Sequence, residues 1–238
     1  MDHASPLEPL HELPADVVTQ PADAGIDVPY ALGTLPDGRE TLIIGDVDTY
    51  ADFTHRQGDN PYGFQGTCGL CSCEGVLRQF GVDVTEGDVV AHTVSHGLCE
   101  TAGDDATARG GTTLPDQARI LSDYGVPAHV ESADSLEDLA ANLEQGHGVI
   151  IAANAGVLWD DATYWDGGQA NHAVVPIGVA RDPATGEIEG FFVNDSGTGE
   201  SARFVDAATM ADSWLGAGGN CVVTDQVHAA APGEGTPL

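Results

Sequence analysis

The chain has 238 residues, with 38 acidic residues against seven arginines and no lysine, so its formal net charge is −31. A surface this acidic repels phosphate backbones at physiological ionic strength and argues against nucleic acid as a partner. No apolar run is long enough to span a bilayer, so no membrane insertion is expected. The opening Met-Asp-His-Ala-Ser-Pro lacks the basic start and apolar stretch of a Sec signal, and the expected location is cytoplasmic, with export by a non-Sec route left open.

Residues 1–27 carry scattered prolines and acids without periodicity, and residues 228–238 are similar; both are expected to be poorly ordered ends flanking one folded unit over 28–227. Leu42 to Ile44, after the turn Pro36-Asp37-Gly38, reads as a short strand, and 58–63 as a loop. From Gly69 to Phe80 the apolar residues Leu70, Cys73, Val76, Leu77 and Phe80 recur at spacings of three and four, the stripe of a helix buried on one side and stopped by Gly81. Thr85 with Asp88, and Thr113 with Asp116, are capping-box starts for two further helices, ending at Gly97 and Gly125. A fourth helix is expected over 136–145. Strands are then expected at 149–153, 173–180, 188–194 and 221–223, with a last helix over about 207–215. Helices first and an antiparallel sheet afterwards make an α+β domain.

The five cysteines, Cys68, Cys71, Cys73, Cys99 and Cys221, are odd in number and clustered, which fits a reducing compartment better than a disulfide scaffold. Gln65-Gly66-Thr67-Cys68-Gly69-Leu70-Cys71 places thiols where a loop becomes a helix, and the helix dipole with its unpaired N–H groups favours the thiolate there. Gln65 can offer a side-chain N–H to an oxyanion. Unpaired cysteines are more often small apolar residues of a helix, a reading that suits Cys73 and Cys71. Zinc is the other alternative, with Cys68, Cys71 and Cys73 joined by Cys99 or by the His92 and His96 pair.

A thiolate needs a base, and the base an orienting group. His172 heads an apolar strand, Asp195 ends the next, and the turn 182–187 between them returns the second strand antiparallel to the first, which brings the carboxylate back to the imidazole. Alone, Asp195 is a turn residue and His172 a satisfied sheet-edge histidine. The joint order of helix-start cysteine, strand-start histidine and strand-end acid points to a Cys68, His172, Asp195 triad with Gln65 beside it.

These segments resemble the papain-like cysteine peptidase superfamily, closest to its bacterial double-glycine leader peptidase-like branch, in which a Cys-Gly pair opens a helix closing on Leu-x-x-x-Gly, here Cys68-Gly69 through Leu77 to Gly81. The similarity covers mainly 65–81 and 171–197. Alignment on Cys-Gly makes Cys68 the nucleophile, whereas alignment on Gln-Gly-x-Cys-Gly-x-Cys makes it Cys71; the helix length favours Cys68. The resemblance implies a papain-like fold, no cofactor, and a cysteine peptidase or amidase-like thiol hydrolase acting on a peptide or protein. Attack by an amine in place of water would instead give an acyltransferase or transglutaminase-like enzyme or a toxin effector. A non-catalytic zinc-stabilised binding domain is the alternative from another class. The segment 157–169 interleaves Trp159, Tyr164 and Trp165 with acids, which suggests a cleft wall favouring a basic substrate, or simple packing of the hairpin.

Overall fold

The computed structural model describes residues 28–228; of the two ends expected to be poorly ordered, residues 1–27 and 229–238 lie outside the described residues, while His228 is described and donates its N–H to Gly146. A hairpin of β1 (Tyr30–Thr34) and β2 (Glu40–Ile44) leads through the short α1 (Val47–Ala51) and a long loop to α2 (Cys68–Gln79), α3 (Glu86–His96) and α4 (Leu114–Asp123). The chain continues through β3 (Ala128–Ser132), α5 (Leu136–Glu144), β4 (His147–Ala153) and a single turn, α6 (Ala155–Leu158). Then come β5 (His172–Arg181), β6 (Ile188–Asp195), β7 (Glu200–Asp206), α7 (Ala207–Met210) and β8 (Asn220–Val227).

All the strand pairs are antiparallel, and β5 is the hub. It pairs with β4 near its start (Ala153 opposite His172), with β2 near its end (Ile44 opposite Val179), and with β6 along most of its length. The expected α+β class with a papain-like order of helices and sheet is what the chain adopts, with two differences of detail. Besides the expected β2, the strands β1, β3 and β7, which carry no clear sequence pattern, join the same sheet. And helices cover both faces of that sheet. Ile150, Val175 and Val222 pack with Leu70, Val76, Leu77 and Ile120 of α2 and α4, while their chain neighbours Ile151, Val174 and Val223 pack with Leu139 and Leu143 of α5 and with Met210 and Trp214. Side chains alternate faces along a strand, so a strand covered on both faces must be apolar at consecutive positions. That is why 149–151, 173–175 and 221–223 are unbroken apolar runs.

The helix starts follow local chemistry. Thr85 with Asp88 and Thr113 with Asp116 form the expected capping boxes, and Ser135 with Asp138 forms a third. The expected last helix runs only from Ala207 to Met210 before widening into a π-turn over Ala211–Leu215. Helix α2 departs most from expectation. Its residues are buried all the way from Gly69 to Leu77, Ser72 and Glu74 included, so it is a central helix with no solvent face beyond its ends.

Candidate active site

Cys68 is the first residue of α2, and its N-cap, Thr67, makes no side-chain bond to the helix start. The Thr67 hydroxyl instead donates to the buried Glu86 carboxylate at 2.6 Å. The start of α2 is thus left without a side-chain cap, and the Gly69 N–H bonds the Cys68 sulfur. His172, at the start of β5, and Asp195, at the end of β6, meet through the β5–β6 pairing. His172 Nε2 lies 2.8 Å from Asp195 Oδ1, both side chains being buried. With Nε2 so engaged, Nδ1 is the ring nitrogen left for the Cys68 thiol, the second hydrogen-bond partner of His172.

Asp195 is held by three donors: His172, the Trp159 indole Nε1 at 2.6 Å on Oδ2, and the Gly197 N–H at 2.9 Å on Oδ1. Burial raises its carboxyl pKa, but these bonds and the imidazolium more than compensate and hold it below the usual range. Burial by itself would depress His172, yet Asp195 and the Cys68 thiolate raise it to about 9. Burial pushes the Cys68 thiol up, while the His172 imidazolium and the N–H groups of Ala173 and Gly69 bring it below its ordinary value. Both shifts favour one charge state, thiolate beside imidazolium.

The other thiols differ. Cys71 is buried within the first turn of α2, away from the cleft, and burial with Glu86 and Glu74 nearby pushes its pKa far up. Cys73 lies in the core, its thiol directed at the Gln117 carbonyl. Burial raises Cys99 and Cys221 as well.

Among the described residues, the ligand atoms of the zinc set expected from Cys68, Cys71, Cys73, Cys99, His92 and His96 do not come together. His92 stacks on His96 and bonds to Asp123. Among the described residues, one other trio has ligand atoms within 4.8 Å of one another: His55, Cys71 and Glu74, in which His55 Nε2 already lies 2.8 Å from the Glu74 carboxylate.

Cys68 and His172 open onto a cleft of about 740 Å³ that Gln65 also lines, with an exposed side chain packed over Gly58. A second glutamine on this wall, Gln57, carries no sequence signal. It is fixed by tertiary partners alone, donating from Nε2 to the Gln65 carbonyl at 2.6 Å and accepting from the Ser196 hydroxyl at 3.3 Å. Trp159 does both things expected of the aromatic segment, lining the cleft and leaning on the His172 ring at 4.9 Å, and Tyr164 meets it edge-on. Its bond to Asp195 joins segments far apart in the chain and has no sequence signature.

A model of the Peptidase_C39 like family matches residues 44–222, a span that contains Cys68, His172 and Asp195. The chain belongs to the Peptidase_C39 like family. This C39-like chain is therefore a cysteine peptidase-like hydrolase. Among solved structures, it is similar to a double glycine motif protease from an AMS/PCAT transporter, crystallised in complex with the leader peptide (18% identity, TM-score 0.44, covering 68% of this chain and 86% of that one). It is also similar to a protein described as a C39-like peptidase from Bacillus anthracis (15% identity, TM-score 0.49, covering 74% and 98%). No curated protein matches the C39-like chain.

Proposed function

We propose that the chain hydrolyses amide bonds of a peptide or protein substrate, with Cys68 as nucleophile, His172 as acid and base, Asp195 as the group that orients His172, and Gln65 beside the oxyanion. One observation carries this reading: on the wall of a single cleft, His172 joins the Cys68 thiol to a carboxylate held by three donors.

The Cys68 thiolate attacks the scissile carbonyl, and the electron pair displaced onto oxygen is met by the free N–H groups at the start of α2 and by the Gln65 carboxamide. His172 gives its Nδ1 proton to the departing amine, and the bond to nitrogen breaks. Water then enters, losing a proton to His172 as it attacks the thioester, and the second collapse frees the acid product and the thiolate. Asp195, bonded to Nε2, keeps the proton-carrying nitrogen turned toward sulfur throughout.

Brief iodoacetamide labelling with peptide mapping, across pH, tests the assignment. Cys68 should label first and at a rate that stays flat below neutral pH. In His172→Ala, only the N–H groups of Ala173 and Gly69 still oppose burial, and Cys68 labelling should slow at neutral pH and recover toward alkali. Preferred labelling of Cys71 would move the nucleophile by three residues, and slow, uniform labelling would remove the thiol reading altogether.

A further inference from the structure

The charge of the cleft differs from that of the molecule around it. Although 38 of the 238 residues are acidic, none of the twenty that line the cleft is Asp or Glu. Besides His172, the cation on its wall is Arg56.

Arginines elsewhere in this chain are taken up by carboxylates. Arg39 pairs with Asp37 and Glu189, Arg78 with Glu74, Arg119 with Asp123, Arg181 with Glu137 and Glu144, and Arg203 with Glu200. Arg109 instead lies over the Phe64 ring, with its Nε buried and unpartnered. Arg56 is exposed and, among the described residues, its guanidinium makes no ion pair or hydrogen bond; only its backbone carbonyl is used, by His55.

Its position is nonetheless fixed. The Arg56 backbone and Cβ pack on Gly199, in the same turn that carries Asp195. The next residue, Gln57, donates its N–H to the Ser196 carbonyl at 2.9 Å. The stem of Arg56 is thus tied to the segment that positions the catalytic histidine, and its free fork extends from there.

We propose that the cleft selects an acidic peptide, Arg56 receiving a carboxylate within a few residues of the scissile bond. This rests on the thiol peptidase reading above. A guanidinium matches a carboxylate with two parallel N–H donors, and an arginine left unpaired in so acidic a chain is free to do so. The overall negative charge does not cancel the preference, because at physiological salt, charges beyond about 8 Å are largely screened and the nearest group decides. The expectation of a basic substrate drew on the acids of 157–169, but Asp160, Asp161 and Asp166 are exposed outside the cleft, and Asp161 is occupied with the Thr163 N–H.

The test uses three pentapeptide pools with a neutral fluorophore: one with a fixed Glu and an amidated end, one with a fixed Lys and an amidated end, and one uncharged with a free C-terminal carboxylate. Binding to the Cys68→Ser protein is read by fluorescence anisotropy at physiological salt. The Glu pool should bind about three- to tenfold tighter than the Lys pool. The preference should vanish in Arg56→Gln, persist in part in Arg56→Lys, and reverse in Arg56→Glu. If the free-carboxylate pool binds best, the group read is the peptide's C-terminus; if the amidated Glu pool does, it is a side chain. Equal or tighter binding of the Lys pool, a preference untouched by Arg56→Gln, or no binding of any pool overturns the proposal. Iodoacetamide labelling of the parent protein is scored separately, so a failed triad with an intact acid preference, or the converse, identifies which idea is wrong.

Discussion

At the residue scale, the geometry of the candidate site rests on Trp159, His172, Asp195 and Gly197. Trp159 donates to the Asp195 oxygen that His172 does not use. Removing one hydrogen bond to a buried charge costs about 1.5–3 kcal/mol, so Trp159→Phe should lower kcat about tenfold while KM changes little. An equal loss in folding stability with unchanged kcat would make the indole a packing group. A Cβ on Gly197 would come 2.7 Å from the Trp159 ring and 2.9 Å from His172 Cε1, so Gly197→Ala should push the imidazole off its line and reduce Cys68 labelling in a folded protein. The charges also set a pH window for stability. His172 is raised from 6.5 to about 9, so its contribution is complete below 6.5 and lost as pH rises through 9. Asp195 is lowered, so its contribution is present above 3.8 and lost as pH falls below that value. Urea midpoints of the parent and of Asp195→Asn should therefore diverge most between these limits and converge at both extremes.

At the scale of elements, a buried carboxylate at the start of α3 sets where α2 begins. Glu86 accepts from the N–H groups of Gly58 and Asp59, the Asn60 side chain and the Thr67 hydroxyl. It thus ties the loop before Cys68 to the N-cap of the helix that Cys68 opens, and His55, raised to about 9 chiefly by its bond to Glu74, sits beside it. Glu86→Gln keeps the shape but exchanges an acceptor for donors that face donors. The expected cost is about 2–4 kcal/mol in urea unfolding, with slower Cys68 labelling in the fraction that stays folded. The sequence showed the elements but not this link. The capping boxes and the Leu77 to Gly81 stop are local chemistry, so α2, α3 and α4 were legible. So were β4, β5, β6 and the core of β8, whose runs are apolar because both faces are covered. β3 alternates little and is largely exposed, and β7 is polar on its outer positions, so neither carries a pattern to read. Cys68, His172 and Asp195 could be read because each sits at an element boundary. Gln57 and Trp159 owe their places to partners far along the chain.

For the whole molecule, the formal charge of −31 acts against folding, since like charges are brought together when the chain compacts. Screening should relieve this. The melting temperature should rise between 0.02 and about 0.5 M sodium chloride, where the Debye length falls well below the spacing of most surface charges, and a melting temperature independent of salt would show that the acids are already neutralised by local partners. The same screening should leave His172-dependent labelling of Cys68 almost unchanged, because the two groups are in direct contact, well within the Debye length.

The hub position of β5 has a consequence for the order in which activity arises. Cys68 lies in the first third of the chain, whereas the His172 imidazole and the Asp195 carboxylate come far downstream and meet only when β6 folds back on β5. A growing chain that has emerged as far as α5 carries a cysteine with the reactivity of any unfolded thiol. On the proposed reading, the activated thiol arises only when β5 and β6 close over Cys68, and a half-made molecule should then be no more reactive than any unfolded thiol toward the polypeptides beside it during synthesis.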